Sequence, residues 1–157
     1  LNSGDANGLS NREPWLKINE QVTNVIKAQN VAFHIVNGDL TEFGQQKNYD
    51  DYKNPYKNLS SPIYEGLGNH DYVNNVGLGT MPEVFNFYRD ACAVSAVLRM
   101  VVEIKKYRSQ LSHFSADVTG SFFPVSGGDI HTIKGSLSYS WDYEDVHYVQ
   151  LHNYTRN

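Results

Sequence analysis

The chain has 157 residues, 40% of them hydrophobic and 13% aromatic, with a formal net charge of -4. That length can bury one real core, and the acidic balance argues against a broad basic field for nucleic acid or an anionic membrane surface. A single cysteine, Cys92, excludes an internal disulfide framework and a cysteine-built zinc site, and no apolar run reaches the length of a membrane span.

Residues 1–11 read as a polar loop without a signal-peptide pattern. A helix is expected from Asn11 or Arg12, with Pro14 in its first turn and Trp15, Ile18, Val22, Val25 and Ile26 on one face. It feeds an apolar strand over residues 31–37, which runs into Gly38-Asp39-Leu40-Thr41-Glu42-Phe43-Gly44. Residues 45–59 are polar and rich in Tyr, with Asn54-Pro55 as a breaker. A second strand over residues 62–67 ends on Gly68-Asn69-His70-Asp71.

Residues 72–80 form a Gly/Asn loop, and Pro82 opens a long helical stretch to about Lys106. Its buried face is read through Val84, Phe85, Tyr88, Cys92, Ser95, Ala96, Arg99 and Val102. Residues 107–135 read as irregular and Gly/Ser-rich. Strands over 136–143 and 146–154, joined through Tyr143-Glu144-Asp145, make a hairpin. With no internal repeat, charge block or linker, residues 1–157 read as a single α/β domain.

Two of these segments carry chemistry. Each puts polar groups at the carboxyl end of an apolar strand, where open α/β sheets bind ligands. Asp39 and Asn69 offer hard oxygen donors and His70 an imidazole, a set suited to divalent metal and phosphate. Taken singly, each has a plainer reading: a turn Asp after Gly38, an Asn at a positive-φ turn position, a surface His, and a solvated loop Asp at Asp71. His34 and His147 read as packing residues, and His113, His131 and His152 match no ligand pattern. Ser126-Gly127-Gly128 lacks the flanking pattern of a nucleophile elbow.

Together, Gly38-Asp39-Leu40-Thr41-Glu42-Phe43-Gly44 and Gly68-Asn69-His70-Asp71 resemble the G-D-x-x-x-x-G and G-N-H-D blocks of the calcineurin-like, or binuclear, metallophosphoesterases. The stretch from Tyr139 to Leu151 is similar to a strand pair of the same family. The resemblance implies a four-layer α/β/β/α sandwich, here incomplete at both ends, and a metal-dependent phosphoesterase. Its reaction would be attack of a metal-bound hydroxide on a phosphate ester, a monoester or a diester, with two divalent ions of Mn, Zn or Fe.

By the same resemblance Asp39 bridges the two ions and Asn69 ligates one of them. His70 stabilises charge or protonates the leaving oxygen, Asp71 orients His70, and Thr41 and Glu42 are expected to approach substrate. The family's first block (D-x-H or D-x-Q) and its last two, histidine-bearing blocks have no match here. Both ends therefore read as cut, and the missing ligands are expected from unseen parts of the chain or a second polypeptide. The alternative is a non-catalytic binding or structural module of the same fold, one chain of a processed or toxin-like assembly. Either would be soluble, and secretion is compatible with both.

Overall fold

A computed structural model of the chain describes residues 12–41, 44–72, 91–125 and 128–152. Helix α1 spans Arg12–Lys27 and leads to the short strand β1, His34–Val36. Helix α2, Gln46–Tyr56, crosses over to β2, Ile63–Glu65, which lies parallel to β1 with Ile35 opposite Tyr64. A helical crossover is what a parallel pair requires, since a tight turn cannot reverse the chain twice.

Helix α3, Ala91–Arg108, precedes five strands: β3 Ser112–Ala116, β4 Thr119–Val125, β5 Gly128–Lys134, β6 Tyr139–Tyr143 and β7 Val146–Gln150. Strands β3, β6 and β7 form an antiparallel sheet in the order β3-β6-β7, while β4 and β5 pair with each other as a separate ribbon. The β6–β7 hairpin closes through Glu144, at φ 52°, and Asp145, with Tyr143 opposite Val146.

The core lies where the parallel pair meets the antiparallel sheet. Trp141 on β6, 1% exposed, packs on Tyr64 of β2, on Tyr148 of β7 and on Phe33 just before β1. Helix α3 adds Ala96, Met100, Val101, Ile104 and Tyr107 to the same cluster. This is an α/β sandwich of the kind expected.

Four local expectations change. Residues 45–59 are not a broken polar segment: they contain α2, whose Tyr49, Tyr52 and Tyr56 face inward at helical spacing. Pro55 is tolerated because it falls in the last turn, where little helix remains to disrupt. The irregular stretch 107–135 holds β3 and the β4–β5 ribbon, whose register runs unbroken from Thr119 opposite Lys134 to Val125 opposite Gly128.

On α3 the sequence stripe drifts. Val102 is 45% exposed, and the buried line runs instead through Ala96, Met100, Ile104 and Tyr107. Steps of three residues fall about 60° short of a turn each time, so a stripe drawn that way rotates off the core. On α1, Val22 and Val25 face outward and Thr23 is buried, its hydroxyl returned to the Glu20 carbonyl. The part of the expected long helix before Ala91 falls outside the described residues.

Candidate functional site

The chain leaves β1 and β2 in the same direction, so the segments after Val36 and Glu65 emerge side by side. Two glycines let them touch. A Cβ on Gly38, which has φ 96°, would stand 2.6 Å from the Leu67 carbonyl carbon, and one on Gly68 would stand 2.6 Å from Asp39 Cγ. Neither distance is tolerable, so only glycine admits this approach. Asp39 itself has φ 52°, a left-handed conformation that a non-glycine residue adopts at a cost.

The two loops are cross-linked in both directions by carboxylates. Asp39 Oδ1, from the first loop, accepts the backbone N–H of His70 in the second at 3.1 Å. Asp71, from the second loop, accepts from the first: Leu40 N–H reaches its Oδ2 at 3.0 Å and Thr41 N–H its Oδ1 at 2.7 Å. The Thr41 hydroxyl also donates to Asp71 Oδ1 at 2.8 Å, and Gly68 N–H to Oδ2 at 3.0 Å. The Tyr49 hydroxyl lies 3.4 Å from Oδ1, with the Arg99 guanidinium 4.6 Å above the Tyr49 ring.

Asp71 has no exposed surface at all, so it is not the solvated loop carboxylate that a bare turn would give. Burial raises its pKa, and the N–H donors of Gly68, Leu40 and Thr41 together with the Thr41 hydroxyl pull against that rise. These donors hold the two loops together around Asp71, the residue that follows His70. Thr41 is 3% exposed and turned into the same network, so it does not face substrate as expected. Glu42 lies outside the described residues.

Asp39 remains exposed, and Asn69 and His70 are half-buried beside it. The structure thus brings Asp39 and the Asn69–His70 peptide to one surface at the ends of two parallel strands. The donor types suit a divalent ion: a carboxylate on the rim, carried over a glycine that no side chain fills, with an amide on the facing loop. Among the described residues, no three His, Cys, Asp or Glu side chains form a group that could hold a metal ion.

The remaining histidines lie elsewhere. His34 Nε2 is 2.8 Å from Ser61 Oγ at the far end of β1. His113 and His147 are exposed and both pair with Asp142, through Nδ1 at 3.1 and 2.5 Å, so His147 is not a packing residue. His152 is half-buried beside Tyr72, and burial lowers its pKa. A cavity of about 440 Å³ lies between α2 and α3, lined by Leu40, Tyr49, Lys53, Glu65, Arg99 and Glu103 among others. None of Asp39, Asn69 or His70 lines it, so it is not the candidate site.

No sequence signal could have marked Thr41 or Tyr49 as part of this arrangement, because each depends on a partner some twenty to thirty residues away. A family model described as calcineurin-like phosphoesterase matches residues 9–157. No curated protein and no solved structure matches the chain. Among the described residues no helix is long and apolar enough to cross a membrane.

Proposed function

Because the chain belongs to the calcineurin-like phosphoesterase family, we propose that it hydrolyses phosphate esters at the surface formed by Asp39, Asn69 and His70, using divalent metal. The observation that carries this reading is the reciprocal joining of the two loops, which keeps an exposed carboxylate against the Asn69–His70 peptide. In this reading Asp39, through its carboxylate, and Asn69, through its amide oxygen, would hold the divalent cations. Mn, Zn or Fe would fit these donors, and bound cations would lower the pKa of water and polarise phosphoryl oxygens.

In this reading His70 is not a ligand and acts on the substrate. Its ring stabilises developing charge on the phosphoryl group or donates a proton to the departing oxygen. Asp71 touches no substrate; it holds His70 in register by fixing the loop that carries it. Two ligands do not complete a pair of metal shells. The further donors come from residues beyond these two loops or from a second polypeptide. Residues 1–157 are read as one partial domain, acting on a monoester or a diester.

The test is a pair of variants in the full-length protein, compared by elemental analysis and by rates on aryl phosphates with poor and good leaving groups. Asp39→Asn should lose metal and activity together, since it removes the charge that would hold the cations. His70→Ala should keep its metal while turnover falls by ~10²–10⁴, and less so for good leaving groups. Equal metal loss in both variants would make His70 a ligand. A wild-type protein that binds no divalent metal and cleaves no phosphate ester would favour the non-catalytic module.

A further inference from the structure

The Thr41 hydroxyl is buried and used twice. It donates to Asp71 Oδ1 at 2.8 Å and accepts the Gly44 N–H at 2.9 Å. Thr41 also sends its own N–H to the same carboxylate oxygen at 2.7 Å. It therefore supplies two of the donors that hold Asp71 and anchors the far end of its own loop at Gly44. Asp71 directly follows His70, whose N–H reaches Asp39. The path from the Thr41 hydroxyl to the Asp39–His70 contact is one carboxylate and one peptide unit long.

We propose that Thr41 is a positioning residue of this site, acting through Asp71 to hold the Asn69–His70 peptide against Asp39. The functional half of this inference rests on the phosphoesterase reading, while the structural half does not. A buried carboxylate that loses one of its donors must recruit another or shift. Asp71 directly follows His70, so a shift of Asp71 would carry the Asn69–His70 segment with it and loosen its contact with Asp39. Groups that orient ligands in this indirect way commonly govern metal affinity by about 10–100-fold.

Two variants separate the hydroxyl from the methyl. Thr41→Val keeps the shape and removes the hydroxyl; Thr41→Ser keeps the hydroxyl. Three quantities are read on the full-length protein: hydrogen exchange at the His70 amide, Mn²⁺ affinity by calorimetry, and the thermal midpoint.

Thr41→Val should exchange its His70 amide at least about tenfold faster and bind Mn²⁺ about 10–100-fold more weakly. Thr41→Ser should match wild type in both. A Thr41→Val protein with a lowered midpoint but wild-type exchange at His70 and wild-type Mn²⁺ affinity overturns the proposal. So does a folded Thr41→Ser protein whose His70 amide exchanges at least about tenfold faster than wild type, a result that can be read whether or not Thr41→Val folds. If wild type itself binds none of Mn²⁺, Zn²⁺ and Fe²⁺, the phosphoesterase reading fails. Faster His70 exchange in Thr41→Val then still supports the positioning contact, and unchanged exchange overturns it.

Discussion

Asp39 combines an exposed carboxylate with a left-handed backbone at φ 52°. That conformation costs a non-glycine L-residue roughly 1–2 kcal/mol. A residue held this way needs surroundings that over-determine it. The surroundings are visible: Gly38 and Gly68 in contact behind it, and the His70 N–H in front. Gly68→Ala should therefore strike the site directly. Its new methyl group would overlap both Asp39 Oδ1 and the Asp39 backbone nitrogen, so both the carboxylate and the loop that carries it must shift from His70. Overpacking of this kind costs about 1–3 kcal/mol. A larger proportional loss of metal affinity than of folded protein, by calorimetry beside urea unfolding, is the expected outcome; a Gly68→Ala protein with wild-type metal affinity would mean that Asp39 is not held at that point.

At the scale of elements, β2 is the strand on which the second loop depends. One edge pairs with β1. On the other, hydroxyl groups stand in for a strand: Glu65 N–H donates to the Tyr107 hydroxyl at 3.1 Å, and the Tyr139 hydroxyl donates to the Glu65 carbonyl at 2.8 Å. The Glu65 side chain is buried, with Lys53 Nζ 3.8 Å away and nearer still to Glu103. Burial raises the Glu65 pKa and Lys53 only partly offsets it. The sign follows from linkage: an acid whose pKa is higher folded than unfolded contributes most below its unfolded value, and that contribution fades as pH rises through the folded value. Glu65→Gln should remove this loss. Its stability relative to wild type should increase as pH climbs from below about 4.5 toward neutrality, measured by urea unfolding across pH. A constant difference across that range would mean that Lys53 fully compensates the buried charge.

Across the whole molecule, the parallel pair and the antiparallel sheet share one aromatic core, with Trp141 1% exposed at its centre. Trp141→Ala should cost about 3–5 kcal/mol, the range for deleting a large aromatic side chain from a packed interior. Because Trp141 lies against Tyr64 of β2, the damage should reach the loops at the strand ends and weaken metal binding as well. Unfolding free energies beside Mn²⁺ calorimetry would check both, and a Trp141→Ala protein within about 1 kcal/mol of wild type would mean that the two sheets do not rely on this contact.

What the sequence determined by itself was local. Apolar runs ending on Gly38-Asp39 and Gly68-Asn69 marked two strands, and the polar groups that follow them marked the candidate site, because strand patterns and turn residues are written in neighbouring positions. The Tyr139–Leu151 hairpin was legible for the same reason. Tertiary structure decided the rest. Which face of α1 and α3 turns inward depends on what they pack against, so Val22, Val25 and Val102 were misjudged. The work of Asp71 and Thr41 depends on a contact between residues 30 apart in the chain, formed only when β1 and β2 lie side by side. A loop carboxylate and a loop hydroxyl look solvated in sequence; it is the meeting of two strand ends that buries them and gives each its partner.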